Sequence, residues 1–140
     1  MSRFAAAALA AFAVVGCSSS TGPTNVNGMW DYVATHIVEG AATCSAEVVM
    51  TLTQSGDTFT GSYAGASFAC SGRGELLPPG YVVSGRIHGD SVSFILSGAA
   101  LTDSSVGTIA GGSMTGTLTI TDSSQAGLFH YFGQWTATKQ

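Results

Sequence analysis

The side chains in this sequence that could do chemistry do not assemble a catalytic set. His36, His88 and His130 fall on three separate stretches. No His-x-His, His-Glu-x-x-His or Cys-x-x-Cys spacing occurs, so no metal site is expected. Alternation gives His36 the inward parity of Trp30 and His130 an outward one, while His88 adjoins the Gly89-Asp90 turn and reads as solvated. The acids Asp31, Glu39, Glu47, Asp57, Glu75, Asp90, Asp103 and Asp122 fall mainly at turns. There Asp bonds its own backbone, and nothing marks an acid paired with a base. Serines abound without a Gly-x-Ser-x-Gly elbow. The reading is a non-enzyme that needs no cofactor. What remains is a set of aromatics: Trp30, Tyr32, Phe59, Tyr63, Tyr81, Phe94, Phe129, Tyr131 and Trp135. They either grip a small apolar or amphipathic ligand or fill a core.

The elements that must position these rings are strands. Val48, Met50 and Leu52 alternate with polar residues up to Ser55-Gly56-Asp57, and Phe59, Gly61 and Tyr63 resume the apolar face beyond it. A period of two on both sides of a Gly-containing break predicts a β-hairpin. A second hairpin joins Tyr81–His88 to Ser91–Ser97 across Gly89-Asp90. Residues Ser113–Thr121 place Met114, Gly116, Leu118 and Ile120 inward and four threonines outward, and Phe129–Thr138 is the last strand. Ala99–Gly112 is rich in Gly, Ser and Ala, with a short strand near Val106–Ile109. The template apolar-x-Gly-x-apolar recurs at Gly28, Gly61, Gly85, Gly116 and Gly133. Glycine weakens a strand interior by up to about 1 kcal/mol relative to Ala. Either the glycines bend strands in a small barrel or they leave room for a ligand. Seven clear strands and an eighth, with short connections, predict an all-β fold: a small up-and-down antiparallel β-barrel of about eight strands.

The N-terminus reads as an export signal. Arg3 precedes an apolar run from Phe4 to Val15, too short for a helix spanning a bilayer, which needs about 20 residues. Val14-Val15-Gly16-Cys17 resembles the lipobox of bacterial lipoproteins, with Val14 in place of the commoner Leu. The resemblance implies a signal peptide over residues 1–16 and acylation of Cys17. It also implies a flexible tether over 17–27, a barrel domain over 28–140, and an address in the bacterial envelope, with Ser18 pointing to the outer membrane facing the periplasm. The alternative is an ordinary cleaved signal with an incidental Cys. The ten residues Ser18–Asn27 reach at most about 35 Å, or about 17 Å as a flexible coil. With Cys17 acylated, Cys44 and Cys70 remain to pair in an oxidising compartment; the other reading is two buried free thiols. Both lie at even positions on paired strands, so a bridge requires a bulge between them, and Gly65 is the place for it. The net charge is −4, and loss of Arg3 makes it more negative. That argues against nucleic acid as a partner and leaves the acyl chains as the link to the membrane.

Gly28-Met29-Trp30 on a first strand, with Gly133-Gln134-Trp135 on the last, resembles the Gly-x-Trp signature of lipocalins. It is similar as well to the openings of avidin-type barrels and of small periplasmic metalloprotease inhibitors. The resemblance implies first and last strands paired, Trp30 and Trp135 at one end, and Lys139 over Trp30. Two functions follow: a small apolar or amphipathic ligand held against the aromatics, or a filled barrel whose surface binds an envelope protein. For the second, Met29, Val33, Ile37, Val49, Val82, Ile95 and Phe132 are apolar at expected outward positions.

Overall fold

The computed structural model describes residues 24–39, 42–71, 73–76, 81–98, 101–122 and 129–140. Residues 1–16, Cys17 and the tether up to residue 23 lie outside them. So do the side chains of Glu39, Glu75, Tyr81, Val82, Asp122 and Phe129.

The strands are β1 (Gly28–Glu39), β2 (Ala42–Ser55), β3 (Thr58–Cys70), β4 (Arg73–Leu76), β5 (Tyr81–His88), β6 (Ser91–Ser97), β7 (Leu101–Ala110), β8 (Ser113–Asp122) and β9 (Phe129–Lys139). Every pairing is antiparallel, and the sheet order closes through β1–β9 and β2–β3 into an eight-stranded up-and-down barrel. The fold is therefore all-β, as the alternation predicts. β4 lies outside the ring and pairs with β3 alone, Cys70 facing Arg73 and Ser67 facing Leu76. β5 begins only opposite Tyr63, so β4 covers the length of β3 that β5 leaves bare, an edge that would otherwise stand open.

The two ends of the barrel differ. At one end β2–β3, β5–β6 and β7–β8 are joined by two-residue turns, each with a glycine of positive φ at its first position: Gly56, Gly89 and Gly111. A two-residue hairpin takes that conformation, and glycine adopts it without a Cβ clash. At the other end two residues separate β1 from β2, three separate β6 from β7 and six separate β8 from β9, and β4 lies within the stretch between β3 and β5.

Two bulges set the faces. On β1 the register with β2 shifts between Ala34 and Ile37, and the register with β9 shifts at the same place. His36 takes φ 53° there. The extra residue reverses the alternation, which corrects two expectations: Ile37 points inward and is buried, and His36 is exposed. On β3 the register shifts opposite Glu47–Val49, where Gly65 has φ 65°. This bulge brings Cys44 directly opposite Cys70 at a Cα separation of 4.0 Å, and the two form a disulfide. The bridge ties β2 to β3 at the end away from their shared turn.

β7 is longer than the sequence predicts. It runs over ten residues, with Asp103 and Ser105 buried between Leu101 and Ile109. Asp103 is thus a strand residue facing the interior, not a turn residue.

The inward glycines do not open a cavity. A Cβ on Gly116 would lie 2.0 Å from the Val106 carbonyl oxygen, and one on its cross-strand partner Gly107 would lie 2.1 Å from that of Thr115. At Gly61 the obstacle is the Thr51 carbonyl oxygen at 2.1 Å, and at Gly85 it is the Phe59 ring at 2.2 Å. Close backbone approach and a ring laid over a glycine account for them.

Candidate functional site: a closed floor and a polar cluster in the barrel interior

Residues 24–27 cross the end with the tight turns and close it. Val26 is fully buried; its N–H donates to Gln54 Oε1 at 2.8 Å, and its carbonyl accepts from Trp30 Nε1 at 2.8 Å. Lys139 Nζ stands 5.8 Å from the centre of the Trp30 ring and donates to the Asn25 carbonyl at 3.3 Å. A cation over the indole face is attractive, and this is the place the sequence assigned to Lys139. Trp135 faces Ala34, further along β1 than Trp30, so the two indoles occupy successive levels. Outside this end, Thr24, Asn25, Asn27, Gln54 and Gly56 line an open groove of about 340 Å³. Its amides are engaged internally, Asn27 Oδ1 accepting from Gln54 N–H at 2.7 Å.

Above that floor the rings meet across the barrel. Tyr32 stacks on Trp135 with centroids 5.7 Å apart, and Phe94 abuts both, at 6.0 Å from Tyr32 and 5.0 Å from Trp135. β1 and β6 lie on opposite walls, so the Tyr32–Phe94 contact spans the interior. Phe59 continues the series at 6.1 Å from Phe94. Of the candidate ligand residues, Trp30, Tyr32, Phe59, Phe94 and Trp135 therefore pack against their neighbours at and below mid-height. Tyr63 and Tyr131 stand on the half of the barrel away from the tight turns, and the backbone of Tyr81 pairs with Tyr63.

On that half Val48, Tyr63, Leu96, Asp103, Ile120 and Tyr131 retain 6–9% exposure, while Ile37 and Cys44 at the same end retain 0% and 2% and Ile87 beside the tight turns retains 7%, so burial runs the length of the interior. Leu96, Ile120 and Tyr131 are the described inward residues nearest that end on β6, β8 and β9.

At the junction of the two halves sits a polar cluster. Tyr32 donates its hydroxyl to Asp103 Oδ2 at 2.8 Å, and Ser105 donates to Asp103 Oδ1 at 3.0 Å. The Tyr32 and Ser105 oxygens lie 3.2 Å apart. Burial pushes the Asp103 pKa up to about 6, with the two hydroxyls opposing the rise. Burial and then the Asp103 charge hold the Tyr32 hydroxyl well above the usual phenol range, so it stays protonated and donates. Described cations lie elsewhere: Arg86, His36, His88 and His130 are exposed outside the barrel, and Lys139 is at the floor. Among the described residues no group of three His, Cys, Asp or Glu could hold a metal ion.

Asp103 and Ser105 were missed as site residues because β7 was read as too short to include them. The signal was present: Leu101 and Ile109 fix the inward parity of the strand, and Asp103 and Ser105 share it. No protein-family model and no curated protein match the sequence.

Proposed function

We propose that this protein is an envelope lipoprotein, anchored through Cys17, whose barrel takes up a small amphipathic ligand at the end away from the tight turns. The observation that carries the reading is the Tyr32–Asp103–Ser105 cluster, a buried polar group within an otherwise apolar interior. Burying a carboxylate without a cation is costly, and a barrel that needed only a core would fill this place with an aliphatic residue. The wall beside the cluster is apolar and aromatic: Leu96 and Ile120 are the cross-strand partners of Asp103, and Tyr131 is the partner of Ile120, the combination that small-ligand sites show. The interior is apolar and the outer face of β8 carries threonines, the reverse of a bilayer-spanning barrel.

Titration of the full chain with Nile red, a neutral apolar probe, tests the reading. Saturable binding that is lost on Leu96→Trp, a change that fills the upper interior, is expected. Absence of saturable binding overturns it.

A second reading has its own observation. Val38 and Phe132 are cross-strand partners, 52% and 64% exposed on the outer surface. Such a pair suits contact with another envelope protein, and Ile95 and Val106, also exposed, add a second apolar spot. Ile37 does not belong to this surface, being buried.

A further inference from the structure

Both hydroxyl protons of the interior cluster are committed. Tyr32 gives its proton to Asp103 Oδ2 and Ser105 gives its proton to Oδ1. The two hydroxyl oxygens also approach to 3.2 Å, a contact in which either could donate, so two protons serve three contacts around the carboxylate. With the carboxylate ionised, the cluster therefore presents lone pairs and a negative charge, and no donor. A ligand group that satisfies it must donate hydrogen bonds and carry positive charge. Trp135 stacks on Tyr32, and Phe94 stands edge-on to both, so these rings hold the Tyr32 hydroxyl in place and bring no charge of their own. No described Lys, Arg or His faces the cluster to fill that role from within.

We propose that the Tyr32–Asp103–Ser105 cluster seats the ammonium group of an amine-bearing ligand, whose apolar part lies along the wall of Leu96, Ile120 and Tyr131. The ammonium N–H groups point at Asp103 and at the gap between the Tyr32 and Ser105 oxygens. A charge-assisted bond in a buried site is shorter and stronger than a neutral one. The net charge of −4 favours the approach of a cation. The inference rests on the ligand-binding reading and names the class of ligand for the same site.

Three small probes of one shape separate the alternatives: phenethylamine, 2-phenylethanol and 3-phenylpropanoate, which offer a cation, a neutral hydroxyl and an anion. They are titrated into the full chain carrying Cys17→Ser, which removes the acylation site, and followed by tryptophan emission and calorimetry. Phenethylamine should bind saturably and about tenfold or more tighter than 2-phenylethanol, with the anion weakest. Asp103→Asn should erase the preference for the amine. Equal affinity for amine and alcohol, or an amine preference that survives in Asp103→Asn, overturns the proposal. The unsubstituted protein provides a second measurement should the variant fail to fold. Lowering pH from about 7.5 to about 5 protonates Asp103, whose pKa is about 6, and amine affinity should fall across that range. The other described inward titratable groups are Tyr32, Tyr63 and Tyr131, and burial keeps the Tyr32 hydroxyl protonated there. Affinity that does not change with pH overturns the proposal. Nile red uptake without amine preference defeats this inference alone, whereas failure of every probe defeats the ligand-binding reading with it.

Discussion

The hydroxyl of Tyr32 on β1 reaches Oδ2 of Asp103 on β7 at 2.8 Å, joining two strands that are not neighbours in the sheet. This bond and the one from Ser105 make burial of the carboxylate tolerable without making it free of cost. The Asp103 pKa rises from 3.8 to about 6 in the folded protein, so the native state holds this proton more tightly than the unfolded chain does. The associated stability is fully present below about pH 4 and is lost as pH rises through about 6. The gap corresponds to about 3 kcal/mol. Urea denaturation midpoints should therefore rise as pH falls from about 7.5 towards about 4.5. Asp103→Asn should flatten that slope and leave the protein at least as stable as the parent at neutral pH. A parent whose midpoint is flat over this range contradicts the assignment.

Reduction should weaken the barrel at the ends of β2 and β3 away from their shared turn. The Cys44–Cys70 bridge closes a loop with a sequence separation of 26, which is worth about 3–4 kcal/mol in the chain-entropy account. Denaturation with and without a reductant measures this. A midpoint that does not move would mean that the cross-strand contacts of β2 and β3 hold that end unaided.

Gly107→Ala or Gly116→Ala should each cost about 1–3 kcal/mol, because the new methyl group meets a neighbouring backbone carbonyl that cannot swing away. Gly112→Ala, where the nearest atom is a Lys139 side-chain carbon at 3.7 Å, should be close to neutral. Thermal melting of the three variants makes the comparison. Equal effects at all three sites would refute close backbone approach as the reason for the paired glycines.

The anchor can be tested apart from the barrel. Cys17→Ser should release the protein from the membrane fraction of a bacterial host, and mass spectrometry of the parent should find acyl chains on Cys17. Unchanged partitioning of the variant would remove the lipoprotein reading and leave the barrel as described.

The sequence made much of this fold legible because most inward positions are apolar. Met50, Leu52, Phe59, Val83, Phe94, Met114 and Leu118 are all in the core, and each sits on a stretch with a clean period of two. Legibility failed where chemistry or geometry displaced that pattern. On β7 the inward positions 103, 105 and 107 are Asp, Ser and Gly, so the residues that form the candidate site also hid the strand carrying them. At His36 a one-residue bulge reversed the parity, turning Ile37 inward, and nothing in the local composition announces it. β4 has only four residues, Arg-Gly-Glu-Leu, and its place depends on β5 starting late. Gly65 was legible for the opposite reason: two even-numbered cysteines on paired strands could be joined only through a bulge.

The buttoned floor has a consequence for orientation. Residues 24–27 lie across the end with the tight turns, and the last residue, Gln140, returns to that end, its N–H bonded to the Met29 carbonyl and its side chain to Asp31. The first described residues and Gln140 thus share one pole of the barrel. An acyl group on Cys17, seven residues before Thr24 in the sequence, would make that pole the point of attachment about which the domain pivots. On the reading proposed above, a ligand entering at the opposite pole would come from the aqueous side, and a fusion at Gln140 would sit clear of its path.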